Sequence, residues 1–130
     1  MKIAAIDVGL KRIGVAFCFN NSVVLPQNAI LRKNRNQAAR DVSNLLKEWN
    51  IDILIVGLPK GFDTQDEMER RIKHFVSLLD IENIEVNYID ESYSSFEAKE
   101  QIKGEIKQKR DGRIDSLSAK IILERWLDSK

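Results

Sequence analysis

The chain has 130 residues, 43% hydrophobic and 32% charged, with a net charge of +1, and this predicts one domain over residues 1–130 with a hydrophobic core. The single cysteine, Cys18, excludes an internal disulfide and cysteine-rich zinc sites, and the single histidine, His74, argues against a histidine-built metal site. The longest apolar run, residues 13–19, is far shorter than the roughly twenty residues of a membrane span, and no signal sequence follows Met1, so we expect a cytoplasmic protein without a membrane partner.

The first third of the chain favours strands. Residues 2–7 and 13–19 are apolar runs typical of strands, joined by a turn over residues 7–12 that leaves Asp7 at the end of the first strand. Residues 22–25 and 29–31 predict a third strand interrupted by Pro26. The opening is therefore predicted to be an antiparallel meander.

The period then changes to alternating helices and strands. Apolar residues recur at helical spacing from Asn36 to about Asn50, and residues 53–58 form a continuous aliphatic run typical of a central strand. A second helix follows over residues 68–79, and then a strand over residues 84–91. Ser94 or Ser95 begins a third helix that runs to Ile106, a basic loop covers residues 107–113, and Asp115 lies just inside or just before a last helix. This order predicts an α/β fold with a mixed sheet covered by helices.

The charges are strongly segregated along the chain. Residues 1–40 carry seven Lys or Arg and one acid, residues 41–100 carry six and fourteen, and residues 101–130 carry eight and five. If the two ends fold together, they form a basic surface suited to a polyanion such as nucleic acid. An ordinary solvated surface is the alternative interpretation.

Three acids mark positions where a ligand can approach. Asp7 and Glu91 end predicted strands, and Asp115 begins a helix. Each has an ordinary explanation, as a turn residue, part of a capping segment, or a favourable charge at a helix N-terminus. We expect the three to converge on one end of the sheet, where three carboxylates suit Mg²⁺ or Mn²⁺. A two-metal site of this kind hydrolyses phosphodiesters without histidine or cysteine.

Other site types fit less well. Gly9 and Gly14 have the spacing of a phosphate-binding loop, but Val15 and Ala16 replace the required Lys and Ser/Thr. His74 is interpreted as a structural histidine, and Cys18 as a small core residue. Both tryptophans, Trp49 and Trp126, lie on apolar helical faces and are predicted to be core residues.

Four sequence blocks resemble one known family. They are Asp7-Val8-Gly9-Leu10-Lys11-Arg12-Ile13-Gly14-Val15-Ala16, Val56-Gly57-Leu58-Pro59, Asp90-Glu91-Ser92-Tyr93-Ser94-Ser95 with Glu97-Ala98, and Ile114-Asp115-Ser116-Leu117-Ser118-Ala119. In these blocks the chain resembles the YqgF family, bacterial proteins described as Holliday-junction resolvases and as nucleases that mature pre-16S rRNA. The resemblance covers nearly the whole chain.

The resemblance implies an RNase H-like fold, a mixed five-stranded sheet with helices on both faces, in which Asp7, Glu91 and Asp115 form the catalytic, metal-binding triad. It also implies nucleic-acid contacts, which are Lys11, Arg12, Ser94, Ser95, Lys109, Arg110 and Arg113. Ser92 replaces the arginine common in the family, Asp63 is followed by Thr64 where Asp-Gly is usual, and Ser118 replaces an alanine. None of these departures removes a triad carboxylate.

These observations favour a metal-dependent endonuclease that acts on structured RNA or branched DNA. Processing of the 5′ end of pre-16S rRNA, with ribosomal precursor particles as partners, is favoured over Holliday-junction resolution because it is the family's broader role. A symmetric cut of a Holliday junction requires a homodimer that presents two sites. If the protein does not cut junctions symmetrically, a monomer is the alternative oligomeric state. Two other functions stay open, a non-catalytic nucleic-acid-binding module with an RNase H-like fold and a fragment of an actin-like ATPase.

Overall fold

The computed structural model describes residues 1–20, 23–58, 65–90 and 112–129, with the backbone alone at residues 65, 66, 90 and 112–115. This part of the chain contains six strands and three helices. The strands are β1 (Lys2–Val8), β2 (Arg12–Phe19), β3 (Leu25–Pro26), β4 (Ile30–Leu31), β5 (Ile53–Leu58) and β6 (Glu85–Asp90). The helices are α1 (Arg35–Glu48), α2 (Gln65–Ser77) and α3 (Gly112–Asp128).

The strands form one mixed sheet in the order β3-β2-β1-β5-β6, and β4 pairs with β2 beside β3. The β1 and β2 strands are antiparallel, with Asp7 opposite Gly14, whereas β1, β5 and β6 run parallel. The carboxyl ends of β1, β5 and β6 therefore meet at one edge of the sheet. In open sheets covered by helices, this edge is where ligands bind.

Helices cover both faces of the sheet. On one face, Ala4, Ile6 and Val8 pack in a core cluster with Val42 of α1 and Phe75 of α2. On the other face, α3 contributes the helical half of a second cluster. That second cluster consists of Ile3, Ala5, Ala16, Cys18, Val24, Ile53, Ile55, Ala119, Ile122, Leu123 and Trp126. The prediction of a mixed sheet with helices on both faces is confirmed, but the described sheet has six strands rather than five, because the third strand is divided in two. The buried Cys18 is a core residue as expected.

The first helix begins with a reciprocal cap. The Asn34 side chain accepts a hydrogen bond from the Gln37 backbone N–H, and the Gln37 side chain accepts one from the Asn34 N–H. This satisfies donors that the first helical turn leaves without partners. The helix ends at Glu48, slightly before the predicted Asn50, which has a positive φ of 53°.

Three finer predictions differ from the structure. The third strand is divided into β3 and β4, and Pro26 lies within β3 rather than interrupting it. The β1 strand continues one residue past Asp7, to Val8. Trp49 is not a core residue, because α1 ends beside it; the indole stacks on Phe19 and is 42% exposed.

Three further predictions concern α3, the helix predicted before it and a membrane span. The α3 helix begins at Gly112, so Asp115 lies inside it, and Trp126 packs in the core. The predicted helix from Ser94 or Ser95 to Ile106 lies outside the described residues. In the part of the chain that the structure describes, no helix is long and apolar enough to cross a membrane.

Candidate metal and nucleic-acid site

Asp7 faces the side of the sheet that α3 covers. Successive residues of a strand point to opposite faces, and on β1 the residues Ile3 and Ala5 pack in the cluster with α3. Asp7 continues that series next to the carboxyl end of the strand, and its side chain is half-buried. The carboxylate is thus placed between the edge of the sheet and the start of α3.

Glycines lie beside Asp7 on both neighbouring strands. Gly14 of β2 is directly opposite Asp7, and residues opposite each other in an antiparallel pair share a face. On β5, Val56 pairs with Ile6, so the next residue, Gly57, is level with Asp7. Gly57 is two residues after Ile55 and therefore lies on the same face of the sheet, the face that α3 covers. Since neither glycine has a side chain, the two positions that flank Asp7 on this face place no side chain against its carboxylate.

The start of α3 is attached to the sheet by a buried hydrogen bond. The Ser116 hydroxyl oxygen accepts from the Val15 backbone N–H at 3.0 Å, and the Ser116 side chain is fully buried. Val15 follows Gly14, the residue opposite Asp7. The bond therefore fixes the first turns of α3, which include Asp115, against the part of β2 that neighbours Asp7. Sequence reasoning gave Ser116 no role, because its partner is 101 residues away.

The structure does not test whether the three predicted carboxylates meet. Glu91 directly follows β6 in the sequence but lies outside the described residues, and Asp115 is described by its backbone alone. Within the described ranges, no group of three acidic, histidine or cysteine side chains could hold a metal ion. The triad of Asp7, Glu91 and Asp115 therefore stays a prediction.

The turn between β1 and β2 presents both predicted phosphate-binding residues to solvent. Lys11 and Arg12 are exposed, and the turn is closed by the Gly9 N–H, which donates to the Arg12 carbonyl at 3.1 Å. Arg32 braces the turn from outside, because its backbone N–H donates to the Lys11 carbonyl and its guanidinium donates to the Gly9 carbonyl. The bracing role of Arg32 was not predicted.

The other predicted nucleic-acid contacts are not described at the level of side chains. Ser94, Ser95, Lys109 and Arg110 lie outside the described residues, and Arg113 is described only as backbone at the start of α3. His74 is exposed on α2, and its Nδ1 lies 2.7 Å from the Arg35 guanidinium.

Comparison with known proteins places the chain among nucleases by sequence. The model of the family described as "RuvX: Holliday junction resolvase" matches residues 1–129. A protein of Sulfurovum sp. strain NBC37-1, named "Putative pre-16S rRNA nuclease", is 65% identical over 127 residues, which are 98% of either chain. A protein of the same name from Sulfurimonas denitrificans is 54% identical over 100% of this chain and 99% of its own.

Solved structures with the same fold share little sequence with the chain. Thermus thermophilus RuvC in complex with a Holliday junction substrate has a TM-score of 0.64 at 10% identity, over 99% of this chain and 96% of its own. The fowlpox virus Holliday junction resolvase has a TM-score of 0.62 at 14% identity, over the full length of both chains. These two similarities support the RNase H-like architecture.

Proposed function

The chain belongs to the RuvX family of Holliday junction resolvases, and from this premise we propose that it is a metal-dependent endonuclease that hydrolyses phosphodiester bonds in structured nucleic acid. The observation that carries the proposal is the position of Asp7. Its carboxylate lies next to the carboxyl edge of the parallel strands, between two glycines, on the face where α3 begins.

The chemistry of this position fits a hard divalent cation. Mg²⁺ and Mn²⁺ prefer carboxylate oxygens and complete their coordination with water and substrate oxygens. We propose that Asp7, Glu91 and Asp115 hold one or two such ions. When bound, the ions would lower the pKa of water and stabilise the leaving oxygen of an in-line displacement.

The protein's own residues bind and orient the substrate. Lys11 and Arg12 project from the turn that follows Asp7 and neutralise phosphates near the cleaved bond. Ser116 fixes the start of α3 against Val15 of β2, and Asp115 directly precedes it in the helix. Ser94, Ser95, Lys109, Arg110 and Arg113 are proposed to extend the phosphate contacts.

We propose the 5′ region of pre-16S rRNA as the substrate, since the relatives at 65% and 54% identity are named as pre-16S rRNA nucleases. In that case ribosomal precursor particles are the partners and a monomer is sufficient. Resolution of Holliday junctions is the second candidate, favoured by the description of the family, and it requires a homodimer that presents two sites. The cytoplasmic location stays a prediction.

Cleavage assays with the Asp7→Asn variant test the proposal. The substrates are a 5′-extended 16S precursor RNA and a four-way DNA junction, each with Mg²⁺, with Mn²⁺ or with EDTA. We expect the parent to cut one substrate only when metal is present, and Asp7→Asn to lose this metal-dependent cleavage, because a neutral amide is a weaker ligand than a carboxylate for a hard cation. Nucleic-acid binding should hardly change, because the lost group is an acid.

The matched control is Asp128→Asn, the same substitution at an exposed position near the far end of α3. It should cut like the parent. Equal rates for Asp7→Asn and the parent would show that the site is assigned wrongly. Binding without metal-dependent cleavage of either substrate would instead favour the non-catalytic module.

A further inference from the structure

A basic groove lies on the face of the sheet opposite to the Asp7 side chain. It has a volume of about 440 Å³ and is formed by the turn after β1, the segment before and into α1, and α2. Its lining residues are Val8, Leu10, Arg32, Arg35, Met68, Arg70, Arg71, Ile72 and His74. We call it the arginine groove; none of its basic residues was assigned a nucleic-acid contact above.

The described lining of the arginine groove carries four guanidinium groups and no carboxylate. Arg71 forms an ion pair with Glu67 at 2.6 Å, but both side chains are more than half exposed. Such an exposed pair contributes little and is readily exchanged for another anion. The groove is therefore electropositive on a chain whose net charge is only +1.

Arg35 and His74 contact each other in the lining of the groove. The Arg35 guanidinium lies 2.7 Å from His74 Nδ1. Arginine can only donate, so in this contact the guanidinium is the donor and Nδ1 the acceptor. A guanidinium carries five N–H groups, more than this one contact uses. Phosphate oxygens are the acceptors that arginine matches best.

Arg32 differs from the other groove arginines because its side chain is hydrogen-bonded to the backbone of the turn after β1. Its guanidinium donates to the Gly9 carbonyl at 2.9 Å and lies 5.5 Å from the centre of the Phe75 ring. It connects the floor of the groove to the turn that carries Lys11 and Arg12. The arginine groove and the turn after Asp7 are therefore one continuous structural unit.

The groove begins where the candidate catalytic edge ends. Val8 lines the groove, and the preceding residue, Asp7, faces the opposite side of the sheet. A nucleic-acid strand that crosses the carboxyl edge at Asp7 can pass over Leu10 and Lys11 into the groove. We propose that the arginine groove binds the phosphodiester backbone of the substrate. The bound stretch is the one that has passed from the cleaved bond at Asp7 over the edge of the sheet to its opposite face. This inference rests on the proposed function.

Binding measurements with a double variant test the inference. In Arg35→Gln/Arg70→Gln two groove charges are removed, while Arg32, which braces the turn, is kept. The probe is a fluorescein-labelled RNA hairpin, titrated by anisotropy between about 50 and 200 mM salt with EDTA present. We expect affinity at the lowest salt to fall by about tenfold, and the slope of log K against log salt to fall by about 2, one for each lost phosphate contact.

The matched control is Arg40→Gln/Lys47→Gln, which removes the same charge from α1 at positions outside the groove lining. Circular dichroism shows whether each variant is folded, and the control should keep the parent's salt slope. Equal slopes for the parent and the groove variant, or equal losses in both double variants, would overturn the inference. Displacement of the RNA by an equimolar polyglutamate peptide would overturn it as well, because the groove would then bind acidic peptides.

The test is separable from that of the proposed function. Binding is measured without metal, so it does not depend on cleavage or on Asp7. If Asp7→Asn cuts like the parent while the groove variant loses salt dependence, the catalytic site is wrong and the groove stands. If Asp7→Asn is inactive and the groove variant binds like the parent, the groove fails alone.

Discussion

Gly9 determines the path of the chain immediately after Asp7. A Cβ atom at this position would lie 2.6 Å from the carbonyl oxygen of Arg12, closer than a real Cβ contact, and that oxygen belongs to the backbone. The same oxygen accepts the Gly9 N–H that closes the turn. The glycine is thus required by a close approach of two backbone segments, and the turn holds Lys11 and Arg12 next to Asp7.

We expect Gly9→Ala to open this turn. The added methyl group should lower the free energy of unfolding by about 1–3 kcal/mol, the usual cost of overpacking, and should weaken nucleic-acid binding because Lys11 and Arg12 move. Urea unfolding and anisotropy measure the two effects. Leu10→Ala is the control in the same turn, since Leu10 is 67% exposed. A Gly9→Ala variant as stable as Leu10→Ala would contradict the close approach.

At the scale of elements, α3 is the part of the molecule that brings the end of the chain to its beginning. The helix packs on β1 and β2 through the second core cluster. Its first turns are fixed by Ser116, whose hydroxyl meets the backbone of Val15 at the outer edge of β2, where Val15 also accepts the Gln27 N–H. The short strands β3 and β4 leave room for this contact between them.

Ser116→Ala tests whether this bond positions the catalytic edge. Without the hydroxyl, the buried Val15 N–H has lost its acceptor, which should cost about 1–3 kcal/mol of stability. We also expect a higher Mn²⁺ concentration for half-maximal cleavage, because Asp115 precedes the serine. Ser118→Ala, a buried serine on the same helix, should leave the metal requirement unchanged. A loss of stability with the parent's metal requirement would show that Ser116 is purely structural.

The sequence predicted those elements whose pattern is local. Continuous apolar runs predicted β1, β2 and β5, and helical spacing predicted α1 and α2, because burial on a regular element repeats along the chain. An interruption of the third strand was predicted, but it was placed at Pro26 rather than after it, and the two pieces were predicted too long, since two-residue strands have no period. Trp49 was predicted wrongly because its spacing continued the apolar face of α1 past the end of the helix.

The candidate site was predictable only in part, for a related reason. Asp7 was found because an acid next to the end of an apolar strand is visible in a few residues. The bonds of Arg32 and Ser116 join residues 23 and 101 positions apart, and no local pattern contains them. The arginine groove likewise combines residues of separate segments, of which the sequence showed only the excess of basic residues before Arg40.

At the scale of the whole molecule, folding concentrates positive charge on one part of the surface, although the net charge is only +1. Residues 1–40, with seven basic residues and one acid, supply the turn with Lys11 and Arg12 and two arginines of the groove, Arg32 and Arg35. The other two groove arginines, Arg70 and Arg71, come from α2. The acids of residues 41–100 include Glu82 and Asp80, which line a pocket with Asp52 on another part of the surface. A polyanion should therefore approach the protein in one orientation, with the basic edge first.

This arrangement predicts a binding constant that depends on salt more steeply than a net charge of +1 suggests. Arg12→Ala should weaken RNA binding most at low ionic strength, and should lower the slope of log K against log salt by about 1, since one phosphate contact is lost. Arg40→Ala makes the same change of charge on α1 outside the turn and the groove, and should keep the slope. If the two variants gave the same slope, net charge alone would govern binding, and Arg12 would not contact phosphate.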